Sequence, residues 1–347
     1  MDGIFRALTE FYGPTLEYLS MWVWGLPAFF LVIAGFILIT GNIERPLTLR
    51  GVFDAVFPRN LHAHSSTRVD RWNAIFVFMI GIPLTAFIAI NALALAGNLA
   101  GFLTDHFGAR RPLVDAGWAV AAIQFIVYFL ALDFVGYVQH YLCHTRPSLW
   151  AFHKAHHTAE ALTPWTGVRL HPVEFIVLNQ IPPILAGLAT GLALYATGTE
   201  MHPGTVNGVA LLAFVQFFVA DFLLHTHVPI SYGWMNRILL APVLHSIHHS
   251  AEERHRDTNL AVILTIWDWM FGTLYLPKKD DEYRWGCSDQ EFGETNPHRT
   301  VRGYFSEPIV SFWKVAKGIA SLGAVDGNDG AKEAKEKLPQ FSLRAPE

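Results

Sequence analysis

LVDAGWAVAAIQFIVYFLALDFVGYVQHYLCHTRPSLWAFHKAHH, residues 113–157, decides the fold of this 347-residue chain. Its first half, 113–134, is apolar over a length that crosses a bilayer as a helix. Behind that run stand His140-x3-His144 and His153-x2-His156-His157. A third group, His245-x2-His248-His249, follows later in the chain. Residues three or four apart share one face of a helix, so each group aims its imidazoles together. Imidazole is unfavourable beside lipid unless it is paired, solvated or coordinated. The arrangement points to metal chemistry at a membrane surface.

The rest of the chain agrees with a membrane setting. It is 52% hydrophobic and 16% charged, with a mean hydropathy of +0.29; soluble domains carry about 25% charge. Five windows, 22–40, 75–99, 113–134, 175–197 and 206–224, are apolar enough to enter a bilayer, more than one water-soluble core normally contains. The expectation is an all-α, polytopic membrane helical bundle with a cytoplasmic histidine-rich helical cap. Pro83 and Pro182-Pro183 mark places where a helix can be broken or re-entrant. His202-Pro203-Gly204 reads as the turn of a hairpin between the last two windows.

Domain boundaries follow composition. Residues 1–40 form an N-terminal region with the first window, 41–277 the catalytic membrane domain, and 278–347 a partly flexible cytoplasmic extension, rich in Gly, Asp, Glu and Lys over 323–337. Acidic and aromatic residues ahead of the first window do not read as a secretory signal. Arg45, Arg50, Arg59, Arg68 and Arg71 outnumber Glu44, Asp54 and Asp70 in 41–72, which marks that loop as cytoplasmic. Five crossings would then put all three histidine groups inside, in a bacterial inner membrane or one of endoplasmic-reticulum type. A net charge of −4 makes no case for nucleic acid, and the two cysteines, Cys143 and Cys287, define no disulfide framework.

Eight imidazoles in three groups exceed what one four- to six-coordinate ion accepts, so a two-metal site fits their number. His225, closing the last window, is the ninth candidate ligand; the alternative is a hydrogen bond to Asp221, four residues earlier. His171 ligates or orients, and His227 is either a ligand or solvent-facing. Asp133 shares a helical face with Tyr137, His140 and His144; Asp257, Asn259 and Asp268 follow the third group. Each could accept an imidazole N–H and fix its tautomer, while Asp257 could instead cap a helix and Asp268 face solvent. His62, His64, His106, His202, His255 and His298 lack comparable spacing and read as loop or surface residues.

Taken in order, these motifs resemble the fatty acid hydroxylase and sterol desaturase superfamily over residues 40–277. They are Asp133-Phe134-x2-Tyr137, His140-Tyr141-Leu142-Cys143-His144, Leu149-Trp150-x-Phe152-His153-Lys154-Ala155-His156-His157, Arg169-Leu170-His171-Pro172, His225, His245-Ser246-Ile247-His248-His249, Asp257-Thr258-Asn259 and Trp267-Asp268-Trp269-Met270-Phe271-Gly272-Thr273. The resemblance implies a non-haem dinuclear metal centre on the cytoplasmic side, and oxygen-dependent hydroxylation, desaturation or ether cleavage of a lipid-like substrate. It implies ligands at His140, His144, His153, His156, His157, His225, His245, His248 and His249, with His171 associated and Arg169 beside it. Tyr141 stands where the family commonly has arginine, and His227 where it often has asparagine.

Iron suits imidazole ligands and activates O2. The chain has neither a glycine-rich dinucleotide fingerprint nor a haem-attachment Cys-x-x-Cys-His. Electrons are therefore expected from a separate electron-transfer protein and its reductase, with Arg237, Arg254 and Arg256 either a docking face or a solvated surface. The expected function is hydroxylation of a membrane lipid, sterol or other long apolar substrate at an unactivated C–H bond by two irons and O2. The alternatives are a desaturase using the same centre, a dizinc membrane hydrolase and a membrane metal-binding or transport protein.

Overall fold

A computed structural model describes residues 31, 34–35, 48–56, 58–114, 116–216, 221–278, 281, 284–286 and 295–318. In chain order its helices are α1 (Leu49–Val56), α2 (Arg59–Ala63), α3 (Ser65–Phe76), α4 (Ile82–Phe107), α5 (Gly117–Thr145), α6 (Pro147–His157), α7 (Ile181–Thr197), α8 (Pro203–Gln216), α9 (Pro242–His248), α10 (Ile266–Phe271) and α11 (Val301–Ala316). The only β-pairing among the described residues is two isolated bridges, Leu239 with Leu264 and Ser250 with Trp285. The all-α expectation holds. The described residues divide into two compact units, one within 77–139 and 175–216, the other within 48–76, 140–174 and 221–318.

The first unit is built from long apolar helices. Gly117–Thr145, Glu174–Thr197 and Pro203–Leu223 are long and apolar enough to cross a membrane, and they coincide with three of the expected windows. Only 17%, 33% and 21% of their most apolar stretches are buried. Phe87, Ile126, Leu192 and Leu211 point outward where a water-soluble bundle would turn them in. The window 75–99 is not one α-helix: a π-helical turn, Val77–Gly81, separates α3 from α4. The window 22–40 lies almost wholly outside the described residues. Pro83 sits in the first turn of a helix directly behind a π-helical segment, and Pro182-Pro183 in the first turn of one that follows a π-helical segment after the turn at Asn179 and Gln180. Proline is tolerated there because the first N–H groups have no intrahelical acceptor.

α4 and α7 approach through small residues. A Cβ on Gly187 would collide with the Ala92 carbonyl, and one on Gly191 with Ala96. Where lipid is as apolar as leucine, close backbone contact between small residues drives such pairing. Residues 198–202 make the expected short turn between α7 and α8. The Gln124 side chain holds it, donating to the Glu200 carbonyl (2.8 Å) and accepting from the His202 N–H (3.0 Å) and the Thr205 hydroxyl (2.8 Å).

The second unit buries charge. Arg169 is fully buried. Its guanidinium pairs with Asp70 and donates to the carbonyls of Ala155 (2.7 Å), Ser66 and His298 (3.2 Å each). The Arg169 Cζ lies over the ring of Tyr304, 5.2 Å from its centroid. Ala155 is in the last turn of α6, whose carbonyls lack helical partners and favour a cation. Arg169 thus anchors the helix that carries His153, His156 and His157. α11 packs on the same helix: Lys154 Nζ donates to Glu307 (2.9 Å), and Phe152 meets Phe312 at 5.4 Å between ring centroids. Part of the expected C-terminal extension is therefore built into this unit, and residues 323–337 lie outside the described ones. His255 and His298, expected in loops or at the surface, are buried: His298 bonds Glu307 and Thr158, and His255 bonds Ser250.

Candidate metal centre

Nine imidazoles converge in two groups within the second unit. His140, His144, His153, His157 and His248 form one, and His156, His225, His245 and His249 the other; within each group the candidate ligand atoms all lie within 4.8 Å of one another. These are the eight residues of the three spaced groups together with His225. Helical spacing explains the sorting. His153 and His157 are four apart on α6 and share the first group, while His156 falls on the adjacent edge and joins the second. The third cluster splits the same way, His248 to the first group and His245 with His249 to the second.

The tautomers can be read from the outer contacts. Nδ1–H of His140 donates to the Leu260 carbonyl (2.8 Å), that of His248 to the Thr258 carbonyl (2.8 Å) and that of His225 to the Asp221 carbonyl (3.0 Å). His144 Nδ1 meets Asp257 at 3.1 Å, and His153 Nδ1 meets Glu174 at 2.7 Å. With the proton on Nδ1, Nε2 presents a bare lone pair to the interior of its group. Burial first, and neighbouring imidazoles second, hold His156, His157, His245 and His249 well below the usual histidine range. Burial pushes His248 down to about 3. Neutral imidazoles are the form that binds metal.

The residues present fit metal ions. Nε2 of His144 and of His248 are buried without a hydrogen-bond partner. Facing Nε2 atoms stand 3.1 Å apart for His153–His157 and His156–His225, 2.9 Å for His225–His245 and 3.1 Å for His245–His249. Nitrogens at that spacing can both reach one ion at about 2.1 Å.

One loop supports much of the first group. Asp257 supplies a carboxylate, and Thr258 and Leu260 supply carbonyls, to His144, His248 and His140. Asp257 and Asn259 take positive φ, 56° and 53°, which Asp and Asn tolerate better than most residues. Asn259 touches no imidazole; it donates to the Leu244 (3.1 Å) and Tyr275 (2.9 Å) carbonyls and accepts from the Tyr275 N–H. Asp268 is buried rather than solvated, accepting from Leu260 N–H (2.7 Å), Ala261 N–H (3.1 Å) and the Thr273 hydroxyl (2.7 Å). It fixes the peptide whose carbonyl orients His140.

Several expectations need correction. His171 joins neither group, because both ring nitrogens face backbone: Nδ1 accepts from Val173 N–H (3.2 Å) and Nε2 donates to the Phe305 carbonyl (3.1 Å). His227 is neither grouped nor solvent-facing; it donates to the Ala55 carbonyl (3.0 Å), and burial lowers it to about 4. Asp221 orients His225 through its backbone carbonyl, not its carboxylate. That carbonyl runs so close to Gly167 that a Cβ there would collide with it. Arg169 acts in the core beneath α6. Glu174 was missed. Its signal was a carboxylate opening an apolar window just after His171-Pro172, where a charge must find a partner. Its other neighbour is the buried thiol of Cys143, and Cys143, His153 and Glu174 place ligand-type atoms within 4.8 Å of one another. Because His153 already belongs to the first group, this cluster reads as support for that ligand.

Comparison with known proteins agrees with this geometry. The fatty acid hydroxylase family matches residues 125–273, the stretch that carries both imidazole groups. An ornithine lipid hydroxylase of Rhizobium tropici is 28% identical over 63% of this chain and 55% of its own. The alkylglycerol monooxygenase of Homo sapiens is 30% identical over 42% of this chain and 29% of its own. A Delta(7)-sterol 5(6)-desaturase of Gibberella zeae is 28% identical over 43% of this chain and 42% of its own. The chain thus spans about half or less of the length of these relatives. No solved structure matches it. Over residues 125–273 the chain is thus similar to the fatty acid hydroxylase family, and its relatives are named as lipid hydroxylases, monooxygenases and sterol desaturases.

Proposed function

We propose that this chain is a membrane oxidoreductase that hydroxylates a lipid-like substrate at an unactivated C–H bond, using two non-haem irons, O2 and electrons from a separate carrier. The observation that carries the reading is the sorting of nine imidazoles into two groups with facing nitrogens 2.9–3.1 Å apart. His140, His144, His153, His157 and His248 would hold one ion, and His156, His225, His245 and His249 the other. Bound iron would supply the redox chemistry: C–H, O2, two electrons and two protons become C–OH and water. The chain's own part is positioning. Asp257, Glu174 and the 258 and 260 carbonyls hold the rings, and burial of the imidazoles keeps water from the reacting centre.

Relatives named as a lipid hydroxylase and an alkylglycerol monooxygenase support oxygen insertion. The sterol desaturase relative keeps a second reading open, in which the same electrons and O2 remove two hydrogens and give an alkene and two waters. Five imidazoles in the first group, one more than a tetrahedral zinc site takes, favour iron over zinc. Arginine excess in 41–72 favours a cytoplasmic site that a soluble carrier can reach.

Metal analysis of the anaerobically purified chain should find about two irons, lost in the His156→Ala/His157→Ala double variant. Membrane lipids from cells with and without the protein, grown in air, should differ by a product one oxygen heavier. Loss of two hydrogens would select the desaturase reading. Zinc as the sole metal, with unchanged lipid masses despite a competent donor, would sink the oxygenase proposal.

A further inference from the structure

The two imidazole groups are supported unequally. In the five-histidine group, His140, His144, His153 and His248 each direct Nδ1 to an acceptor, and two of those acceptors, Asp257 and Glu174, are carboxylates. In the four-histidine group only His225 does so, toward a carbonyl, while Nδ1 of His156, His245 and His249 is buried without a partner. Hydrogen bonding to a carboxylate makes an imidazole a stronger donor and fixes its ring before metal arrives. Glu174 gives the shorter of the two carboxylate contacts, 2.7 Å against 3.1 Å, and it is buried where Asp257 is partly exposed. Ligand number adds to the difference, five against four.

We infer that Glu174 is a positioning residue that, acting through His153, makes the five-histidine group the tightly held metal position and leaves the four-histidine group the exchangeable one. The exchangeable ion is then the one with more room for an incoming molecule. Glu174 orients a ligand and touches no reacting atom, so its removal changes the hold on one ion and not on the other. This inference rests on the dinuclear reading above.

The test is metal release. The full chain in detergent, loaded anaerobically with Fe2+, is mixed with a coloured ferrous chelator, and iron released per chain is followed in time. Two phases of equal amplitude are expected. His249→Ala should retain only the slow phase, and His157→Ala only the fast one. Glu174→Leu should accelerate the slow phase about 10- to 100-fold and leave the fast phase alone. Glu174→Gln, whose carboxamide oxygen still accepts from Nδ1–H, should restore most of the slow release. A general loss of structure would instead speed both phases and would not be rescued by Gln. Two irons leaving in a single phase overturn this inference alone, as does a slow phase untouched by Glu174→Leu. If His249→Ala does not fold, the Glu174 pair in the intact chain decides. A chain that takes up fewer than two irons overturns the dinuclear reading, and this inference falls with it.

Discussion

The two units solve opposite problems. In the first, helices turn leucine, isoleucine and phenylalanine outward and meet one another through glycine and alanine. In the second, the interior holds Arg169, Asp70, Lys154, Glu174 and the imidazole groups, each tied to named partners. Lipid tolerates an apolar exterior and rewards close backbone packing. A buried charge, by contrast, survives only with a partner already in place. The first unit should therefore be sensitive to added volume, and the second to a lost partner.

The largest effect is expected at Arg169. Arg169→Met removes the cation beside Asp70 and leaves that carboxylate in the core, together with the Ala155, Ser66 and His298 carbonyls that Arg169 now serves. Breaking such a pair costs about 3–5 kcal/mol. Denaturant unfolding of the purified chain, followed by metal content after refolding, would measure it. Asp70→Leu added to Arg169→Met should recover part of the loss, because no lone charge then remains. If Arg169→Met costs no more than a typical surface change, the second unit does not depend on paired charge.

A smaller loss is expected from added volume in the first unit. Gly187→Ala puts a Cβ against the Ala92 carbonyl, so α4 and α7 must separate. Overpacking of this kind costs about 1–3 kcal/mol. The same replacement at Gly97, where a Cβ would meet nothing within 4 Å, should be neutral or slightly stabilising. Equal effects at the two positions would mean that close approach does not hold this unit together.

Much of this was legible in the sequence because it is periodic. Apolar windows and His-x3-His or His-x2-His-His spacing follow from the helical repeat, so both the all-α class and eight of the nine convergent imidazoles are legible in the sequence. What stayed hidden depends on contacts that the repeat does not encode. Glu174 reaches His153 across 21 residues, and Leu260 reaches His140 across 120. His171 stands beside a family motif, but its nitrogens are committed to Val173 and Phe305, and nothing local reveals the second of these. His298 and His255 read as loop or surface residues because their partners are distant or irregular. The split of the windows at Val77–Gly81 had only Pro83 to announce it.

The finest test of the contrast lies in the loop that serves the first imidazole group. Asn259 does two things: its side chain binds Leu244 and Tyr275, and its backbone adopts φ 53°. Asn259→Gly removes the first and keeps the second at ease, since glycine adopts positive φ freely. Asn259→Ala removes the side-chain bonds and also puts a Cβ in the left-handed region, which costs roughly 1–2 kcal/mol more. The difference in unfolding free energy between the two variants therefore isolates the backbone cost, expected at about 1 kcal/mol at least. A relaxing loop would move the Thr258 and Leu260 carbonyls away from His248 and His140, so the Ala variant should also release iron faster than the Gly variant. Equal stability with equal release would show that the left-handed turn does not hold those carbonyls. The second unit would then owe its order to side-chain partners alone.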